Sequence, residues 1–382
     1  MEVYFDYSAT TPVKPEVLTE MLPYYLEEYG NPSSIHSKGR SSKNAIEEAR
    51  ERIAKQLKCS ASEIFFTSGG TESDNLAIKG VAQKKGKNGL YITSKIEHPA
   101  VLNTFEWLEK EGYNVVYIDV LDTGIINLKQ LENIIKNNKV NLISIMSVNN
   151  EIGTIQPINE ISKMAYDIDK EIIIHTDAVQ LIGKMQINTD NLLVDMMSVS
   201  GHKFGAPKGV GFLYIADGIE INPQNLGGGQ ESGLRSGTEN VAGIIGLAKA
   251  FEIANQKENN EIKCKEAYLL SKLSEIPNIH FNGVGYHNDS SLKADGIINM
   301  RIDGVEASSL INLLDYRGIY ISAGSACHSN SDVPSHVLKA IGLSNEQALS
   351  SIRISFDNTI SYIEIDYLVE GIKGCVECLR KF

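Results

Sequence analysis

Two charged residues each directly follow an apolar stretch that is typical of a buried strand. Lys203 follows Met-Met-Ser-Val-Ser-Gly-His, and Asp177 follows Ile-Ile-Ile-His-Thr, 26 positions earlier. A buried ammonium is unfavourable unless its pKa falls, and a lysine with a lowered pKa readily forms a Schiff base. Pyridoxal phosphate needs one lysine for its aldehyde and one carboxylate for its pyridinium nitrogen. The pair therefore indicates pyridoxal phosphate chemistry, whereas Lys203 alone would be compatible with a surface lysine after a strand.

A glycine-containing segment, Ser-Gly-Gly-Thr-Glu-Ser at 68–73, joins a predicted strand to a predicted helix. Free backbone N–H groups and the helix dipole attract anions at such a position. Gly70 allows close approach of the backbone, and Thr71 adds a hydroxyl donor. The spacing matches neither the dinucleotide-binding GxGxxG pattern nor a Walker loop, and Thr-x-x-Asp is also common as a simple helix cap. Because ligands collect at the carboxyl ends of parallel strands, we expect a phosphate site here.

Three further polar residues could complete such a site. His98 follows another predicted strand, and it either caps the next helix or lies flat on the pyridine ring and moves protons. Gln180 lies three positions after Asp177 and could reach the same ring. Arg353, in Ser-Ile-Arg-Ile-Ser, shares one strand face with two serines, which suits bidentate binding of a carboxylate. An exposed charge on an edge strand explains that pattern equally well.

The five cysteines are few and mostly scattered, which favours a reducing, cytoplasmic setting. Cys327 lies in Ser-Ala-Gly-Ser-Ala-Cys-His-Ser-Asn-Ser, so we predict an accessible thiol on a mobile loop rather than a buried structural cysteine. Cys375 and Cys378 form one CxxC pair in the last predicted helix. With no second pair and no nearby histidine, a zinc site is not expected, and we interpret both as helix-face residues.

Strands and helices alternate between residues 64 and 199, which predicts an α/β fold with a mostly parallel sheet flanked by helices. The predicted strands are 64–67, 90–93, 115–120, 141–148, 172–176 and 195–199, with helices 71–84, 99–111, 128–137 and 158–167 between them. A further strand at 210–215 is expected to be antiparallel, at or near an edge. Other helices are predicted at 15–29, 39–58 and, after the glycine-rich loop 227–229, at 238–255.

A second, smaller domain is expected because 382 residues exceed the usual size of one domain. We predict a large domain over 15–255 and a small α+β domain over 256–382, joined by the N-terminal segment 1–14 and carrying Cys327. Its predicted strands are 279–281, 297–302, 320–322 and 351–355, and its predicted helices are 307–316 and 362–380. The charged run 256–265 is expected to be a solvated helix.

The overall charge and hydropathy exclude two classes of partner. Lys and Arg number 36 and Asp and Glu 48, so the net charge is −12, which argues against nucleic acid as an electrostatic partner. No apolar run reaches the ~18 residues of a membrane span. The first residues lack the basic and apolar regions of an export signal. We therefore predict a cytoplasmic protein that binds neither nucleic acid nor membrane.

Taken together, these stretches closely resemble the cysteine desulfurases of the NifS/IscS type, within the class V aminotransferase group of pyridoxal phosphate enzymes. The resemblance extends over nearly the whole chain and implies fold type I, with a seven-stranded sheet in the large domain. The stretches that carry it are 7–12 (Tyr-Ser-Ala-Thr-Thr-Pro), 30–34 (Gly-Asn-Pro-Ser-Ser), 67–75 (Thr-Ser-Gly-Gly-Thr-Glu-Ser-Asp-Asn), 97–98 (Glu-His), 148–153 (Val-Asn-Asn-Glu-Ile-Gly), 200–203 (Ser-Gly-His-Lys), 234–238 (Leu-Arg-Ser-Gly-Thr), 324–327 (Gly-Ser-Ala-Cys) and 351–353 (Ser-Ile-Arg).

The resemblance also implies a role for each candidate residue. Catalytic roles are implied for Lys203, Cys327 and His98, and substrate binding is implied for Arg353, which would hold the carboxylate, and for Asn150. No resident metal is implied, apart from a transient iron or iron–sulfur contact at Cys327. Thr238 would reach the cofactor phosphate of the partner subunit in a homodimer. The residues implied to contact the cofactor are Gly70, Thr71, Asn150, Asp177, Gln180, Ser200, His202, Lys203 and Thr238.

The implied reaction converts L-cysteine to L-alanine and leaves the sulfur on Cys327 as a persulfide. A sulfur-acceptor protein, such as an iron–sulfur scaffold, or another thiolation pathway would then receive it. A selenocysteine lyase or another class V enzyme is the alternative activity, and transamination would need no thiol at position 327. A protein that keeps the fold only to bind partners is a further alternative, which the presence of Lys203, Asp177 and Cys327 disfavours.

Overall fold

Strands and helices alternate in the computed structural model much as the sequence predicts. The structure describes residues 1–255, 260–284, 290–324 and 333–381. The strands are β1 Val3–Tyr4, β2 Ile64–Thr67, β3 Leu90–Ser94, β4 Asn114–Ile118, β5 Val140–Ser144, β6 Ile173–Asp177, β7 Met196–Ser200, β8 Gly211–Ile215, β9 Ile279–Phe281, β10 Ile297–Ile302, β11 Ile319–Tyr320 and β12 Ser351–Ser355. The helices are α1 Pro15–Met21, α2 Pro23–Leu26, α3 Ser37–Leu57, α4 Gly70–Lys85, α5 Pro99–Lys110, α6 Leu128–Asn137, α7 Ile158–Ile168, α8 Val241–Ala254, α9 Asn260–Leu273, α10 Ala307–Asp315, α11 His336–Ala340, α12 Asn345–Leu349 and α13 Tyr362–Leu379.

The large sheet has seven strands in the order β2-β8-β7-β6-β5-β3-β4. Strands β3 to β7 are parallel to their neighbours among themselves, and β8 is antiparallel to both β7 and β2. The predicted α/β fold and the antiparallel strand near an edge are therefore confirmed. Because the carboxyl ends of the parallel strands lie at one edge, Asp177 at the end of β6 and Ser200 at the end of β7 come close together.

Both faces of the large sheet are covered by helices. The neighbouring residues Phe212 and Leu213 of β8 point to opposite faces, and each is fully buried. Phe212 packs in a cluster with residues of α1, α3 and α8, whereas Leu213 packs with residues of α4 and α5. Burial on both faces explains why these strands are apolar throughout rather than alternating.

A smaller antiparallel sheet has the order β12-β10-β9, with Asn299 opposite Arg353. Helices α9, α10 and α13 cover its apolar side with residues such as Leu310 and Leu368. The first strand, β1, pairs in parallel with β11, and Asp6 forms a bridge to Ser355 of β12. The N-terminal segment thus lies against elements that come late in the chain. The division into domains at residue 255 remains a prediction.

The structure differs from the predicted elements at several ends. The predicted helix 15–29 is two short helices, because Pro23 lacks the N–H that would continue the hydrogen bonding of α1. The helix predicted from residue 238 begins at Val241, after Asn240 accepts from Gly243 N. The charged run at 256–265 is helical from residue 260, and residues 256–259 lie outside the described ranges. Helices α11 and α12 were not predicted.

Across the described ranges, each helix is either too short or too polar to cross a bilayer.

Candidate active site

A cavity of about 250 Å³ opens at the edge of the large sheet where β2, β6 and β7 end. Ten of the twelve predicted site residues line it, so the structure brings most of the candidate site together. The other lining residues are Ser8, Ala9, Asp74, Met146, Val148 and Val179. The ten predicted lining residues are Gly70, Thr71, His98, Asn150, Asp177, Gln180, Ser200, His202, Lys203 and Arg353.

One side of the cavity is formed by the start of α4. Gly69 precedes this 16-residue helix with φ 146°, a backbone conformation that favours glycine. A Cβ atom on Gly70 would lie 2.7 Å from Val179 Cγ2, so a side chain at position 70 would collide with the segment after β6. The free N–H groups at this helix start lie beside Ser200 and His202 in the cavity wall. This side is suited to an anion such as a phosphate.

Asp177 is the last residue of β6 and is only 6% exposed. Its Oδ1 accepts a hydrogen bond from Val179 N at 2.9 Å. Burial raises the pKa of Asp177 to about 6, while the positive charge of Lys203 acts in the opposite direction. A cationic group in contact with this carboxylate would favour its charged form further. The environment of Asp177 therefore suits a protonated ring nitrogen as partner.

A buried polar network lies next to Asp177. His175 hydrogen-bonds through Nε2 to Ser198 Oγ at 2.9 Å, and burial lowers the pKa of this histidine to about 3, so the ring is neutral. Asp74 is 1% exposed, and its Oδ1 lies 3.8 Å from His175 Nε2 without a hydrogen-bond partner. Burial and the nearby Asp177 raise the pKa of Asp74 well above its ordinary value. Asp74 lines the cavity, and its Oδ1 is a buried polar atom that lacks a hydrogen-bond partner.

Lys203 ends a short 3₁₀ turn that follows β7. Its Nζ donates hydrogen bonds to the carbonyl oxygens of Ser8 at 2.6 Å and Ala9 at 2.9 Å. Gln180 Nε2 donates to the same Ser8 oxygen at 2.9 Å. The N-terminal segment therefore crosses the cavity next to the lysine. The sequence-based expectation of a lowered pKa for Lys203 stays a prediction.

His98 caps a helix, as one of the two interpretations predicts, and its role against the pyridine ring stays a prediction. Its Nδ1 accepts from Ala100 N at 3.1 Å, which caps the start of α5. The same imidazole lines the cavity. The cap fixes the orientation of the imidazole and holds it in the cavity wall. Capping the helix and lying against a ring in the cavity are therefore compatible roles.

Arg353 is 1% exposed, so the alternative of a surface charge on an edge strand is wrong. Its Nη2 lies 2.6 Å from Asp6 Oδ1, and its Nη1 donates to the backbone oxygen of Asn150 at 3.1 Å. Its Nε is buried and has no hydrogen-bond partner. The arginine thus keeps one donor available in the cavity wall.

Two predicted residues are not among the described residues that line this cavity. Cys327 lies outside the described residues. Thr238 is exposed and is not part of the lining formed by the described residues. On α13, Cys375 is buried and Cys378 is exposed, as expected for helix-face residues. Within the described ranges, no three potential metal ligands are grouped.

Sequence reasoning missed Ser8, Ala9 and Asp74 as cavity residues. Ser8 and Ala9 lie in the stretch 7–12 and Asp74 lies in the stretch 67–75, both of which carry the family resemblance. The signal was therefore present. Their contacts with the cavity depend on the N-terminal segment crossing the sheet edge and on the second turn of α4 facing β6, which periodicity alone does not show.

Comparison with known proteins decides the family. The family model described as aminotransferase class-V matches residues 3–368. The chain belongs to this family. Within it, the chain is 46% identical to the cysteine desulfurase IscS of Clostridium botulinum over 385 aligned positions, covering 100% of this chain and 96% of that protein. Members of the cysteine desulfurase group depend on pyridoxal phosphate, and this chain is a member of that group.

Solved structures agree with this membership. A NifS-like protein superposes with a TM-score of 0.91 at 40% identity, covering 99% of this chain and 100% of that one. A structure described as SspA in complex with cysteine superposes with a TM-score of 0.81 at 40% identity, covering 92% of this chain and 98% of that one. The chain therefore has the same fold as these two proteins.

The residues present in the cavity fit pyridoxal phosphate. Asp74 Oδ1 and Arg353 Nε are buried polar atoms without partners, and both residues line the cavity. Buried polar atoms are normally hydrogen-bonded, so each favours a ligand that supplies a partner. The glycine start of α4 lies at one side, and Asp177 and Lys203 supply the carboxylate and amine that this cofactor requires.

Proposed function

We propose that the chain uses pyridoxal phosphate to convert L-cysteine to L-alanine and transfers the sulfur to Cys327. The observation that carries this proposal is the meeting of Lys203, Asp177, Arg353 and the start of α4 in one cavity. Each of these groups matches one chemical feature of the cofactor or the amino acid. The names of the cysteine desulfurase relatives support the choice of L-cysteine.

Cofactor binding is assigned to residues on three sides of the cavity. Lys203 would hold the aldehyde, Asp177 the pyridinium nitrogen and Gln180 the ring oxygen. His98 would lie against the ring, and Asn150 would contact cofactor or substrate. When bound, pyridoxal phosphate withdraws electrons from the α-carbon of the amino acid. The residues assigned to the phosphate are Gly70, Thr71, Ser200 and His202, with Thr238 from a second subunit.

Binding of the substrate carboxylate is assigned to Arg353. Charge-assisted hydrogen bonds to a guanidinium are stronger than neutral ones. Arg353 Nε is free of other partners, and the backbone of Asn150 already holds Nη1, so the side chain is oriented before substrate binds. On this assignment the α-carbon of the amino acid would lie near Lys203, which lines the same cavity.

Lys203 is the residue assigned to move the α-proton. Its Nζ lies in the cavity wall and donates to the carbonyl oxygens of Ser8 and Ala9. It can accept the α-proton only as the neutral amine, whose two N–H groups can keep both contacts while the lone pair takes the proton.

Sulfur transfer is assigned to Cys327, which lies outside the described residues. Its thiolate would attack the substrate sulfur, forming an S–S bond as the C–S bond breaks. The electron pair of the C–S bond stays with the three-carbon fragment, which takes up a proton and becomes alanine. A free thiol has a pKa of about 8.5, so a nearby base is needed, and His98 is the candidate.

A homodimer is part of the proposal. Large apolar side chains are unusually exposed along α1, α2 and the loop that follows, and Leu226 beside the glycine-rich loop is 82% exposed. Exposed apolar patches of this kind mark interaction surfaces. Thr238 is exposed on the same glycine-rich segment, where a second copy could use it. The exposed residues of α1, α2 and the following loop are Leu18, Leu22, Tyr25, Leu26, Tyr29 and Ile35.

A sulfur-acceptor protein, such as an iron–sulfur scaffold, would take the persulfide sulfur, and a transient iron or iron–sulfur contact would be made at Cys327. We place this activity in the cytoplasm, because the described cysteines are all free thiols, which fits a reducing compartment.

Incubation with L-cysteine tests the proposed reaction. Alanine should form, and the peptide that contains Cys327 should gain one sulfur atom by mass spectrometry. A selenocysteine lyase would instead discriminate strongly against L-cysteine. A transaminase would act without added sulfur on Cys327, and a binding protein would form no alanine.

A further inference from the structure

The arginine assigned to the substrate carboxylate already has a carboxylate partner inside the protein. Asp6 Oδ1 lies 2.6 Å from Arg353 Nη2. The arginine is 1% exposed, and the aspartate side chain is 17% exposed. A buried guanidinium without a counter-charge is strongly destabilising, so Asp6 compensates Arg353 when no substrate is bound.

Asp6 is held in place by the backbone around it. The backbone of Asp6 forms an isolated β-bridge with Ser355 of β12, and Tyr7 N donates to the backbone oxygen of Ser355 at 3.1 Å. The next residue, Ser8, donates through its N–H to Ser355 Oγ at 2.9 Å. These contacts hold the segment around Asp6 against β12, the strand that contains Arg353. The aspartate therefore stays beside the arginine when a ligand binds.

Tyr4 is a titratable side chain of the described ranges that lies against this pair. Tyr4 OH donates to the backbone oxygen of Asp6 at 3.1 Å. Burial and the charge of Asp6 raise the pKa of Tyr4 to about 12, against the opposing effect of Arg353, so the phenol is neutral at physiological pH. Asp6 and Arg353 are therefore the charged groups in direct contact here, and Lys203 and Asp177 lie elsewhere in the same cavity wall.

A substrate carboxylate must bind to Arg353 beside Asp6. It gains one hydrogen bond from the Nε–H of Arg353, which has no other partner. It also meets a guanidinium whose charge Asp6 already compensates, and it approaches that second carboxylate. Like charges at short distance oppose binding. Affinity for the carboxylate is then lower than a bare arginine would give, while the orientation of the guanidinium is retained.

We propose, resting on the proposed function, that Asp6 is a positioning residue that orients Arg353 and weakens its hold on the carboxylate. L-Cysteine and L-alanine carry the same carboxylate, so Asp6 keeps the binding of both readily reversible. The pocket thereby selects an amino acid by its whole set of contacts rather than by carboxylate charge alone.

The test replaces Asp6 with asparagine, which has the same shape and can still accept from Arg353. The affinity of the cofactor-loaded enzyme for L-alanine, measured by calorimetry, should rise roughly three- to tenfold, the effect expected from removing one partly buried charge. KM for L-cysteine should fall by a similar factor, whereas kcat should not rise. Acetate should also inhibit the Asp6→Asn enzyme more strongly than the parent.

Asp357→Asn is the matched control. Asp357 lies four residues after Arg353, is partly exposed like Asp6, and its Oδ1 accepts from Thr359 rather than from Arg353. Removal of this charge should leave L-alanine affinity within about twofold, because a partly exposed charge without a direct contact to Arg353 interacts with it only weakly. Unchanged or weaker L-alanine binding by Asp6→Asn would overturn the proposal.

Two more variants separate the possible failures. If Arg353→Ala leaves L-alanine affinity unchanged, the carboxylate assignment within the proposed function is wrong. If Arg353→Ala weakens binding but Asp6→Asn does not strengthen it, only the inference about Asp6 fails. Should Asp6→Asn not fold, Asp6→Glu retains the charge and should keep L-alanine affinity within about twofold; a severalfold gain in its affinity would overturn the proposal.

Discussion

Lys203 Nζ donates to the carbonyl oxygen of Ser8 at 2.6 Å, across a sequence separation of 195 residues. The amine assigned to the cofactor is thus bound to the N-terminal segment in the structure. Covalent attachment of a cofactor would leave that nitrogen with fewer protons to donate. Cofactor loading should therefore loosen the contact between Lys203 and the segment around Ser8.

Substitution of Lys203 should abolish covalent cofactor attachment. After borohydride reduction of the loaded enzyme, mass spectrometry should find the cofactor on the peptide that contains Lys203, and Lys203→Ala should show no such adduct. Lys208 is exposed five residues later, so Lys208→Ala is the matched control and should retain the adduct. A cofactor adduct on any other lysine would contradict the assignment.

Substitution of Cys327 should stop sulfur transfer while leaving substrate binding intact. Cys327→Ser should bind L-cysteine, seen as a change in visible absorbance, but should release almost no alanine. The cofactor anchors lie at the ends of buried strands, and binding does not require the thiol. Cys264 is exposed on α9, and Cys264→Ser should retain alanine formation. Alanine formation at the parent rate by Cys327→Ser would show that another group accepts the sulfur.

Disruption of the exposed apolar face should separate the subunits. Leu26 is 72% exposed on α2, and Leu26→Glu should shift the protein from dimer to monomer in sedimentation experiments, because a charge would be buried at the interface. Leu121 is 50% exposed far along the chain, and Leu121→Glu is the control. An active, cofactor-loaded monomer of the parent chain would exclude the obligate dimer.

Thr238→Ala should weaken cofactor retention without changing subunit association. One neutral hydrogen bond contributes about 0.5–1.5 kcal/mol, so the dissociation constant for the cofactor should rise roughly two- to tenfold. Equilibrium dialysis measures this constant. Thr189→Ala, at a partly exposed threonine whose hydroxyl donates to Lys58 O, should leave it unchanged. Equal retention by the Thr238→Ala and Thr189→Ala enzymes would argue against a contact with the phosphate.

Glu97 should make the cofactor-free protein less stable as the pH rises from about 4.5 to 8. Burial raises the pKa of Glu97 from 4.5 to about 8, against its hydrogen bonds with Ser94 and Met146. Between these pH values the folded state binds a proton that the unfolded state lacks. The contribution of Glu97 to the free energy of unfolding is therefore fully present below pH 4.5 and is lost as the pH rises to about 8. The loss is of the order of several kcal/mol, at about 1.4 kcal/mol per pKa unit.

Glu97→Gln should remove that part of the pH dependence, since the amide can keep both hydrogen bonds and does not titrate. Urea unfolding midpoints between pH 4.5 and 8 provide the measurement. Glu106 is exposed on α5, and Glu106→Gln should retain the parent slope. Identical slopes for parent and Glu97→Gln would mean that Glu97 is ionised in the folded state.

The sequence predicted the site well where local pattern determined position. Lys203 and Asp177 follow apolar strands, and the parallel arrangement of those strands brings both residues to one edge. For Arg353 the sequence allowed either a carboxylate-binding residue or an exposed charge on an edge strand. Alternation shows which residues lie on one face of a strand, but it does not show whether that face is buried. The structure covers it with Asp6, from the opposite part of the chain.

Long-range pairing was the part that the sequence could not show. The contacts of Ser8 with Lys203 and of Asp6 with Arg353 join segments that are about 195 and 347 residues apart. Propensity and periodicity describe neighbours within a helix or strand, so neither one predicts such pairs. The break between α1 and α2 was in principle visible, since Pro23 marks it.

Asp6 and Arg353 are synthesised at very different times, although they pair in the folded protein. Asp6 leaves the ribosome 347 residues before its partner, which at about 5–20 residues per second is a delay of roughly 20 to 70 s. During that time the strands that carry Asp177 and Lys203 can form, but the wall that carries Arg353 does not yet exist. On the proposed assignments, the residues for the cofactor are therefore synthesised well before Arg353, the residue proposed to bind the amino acid.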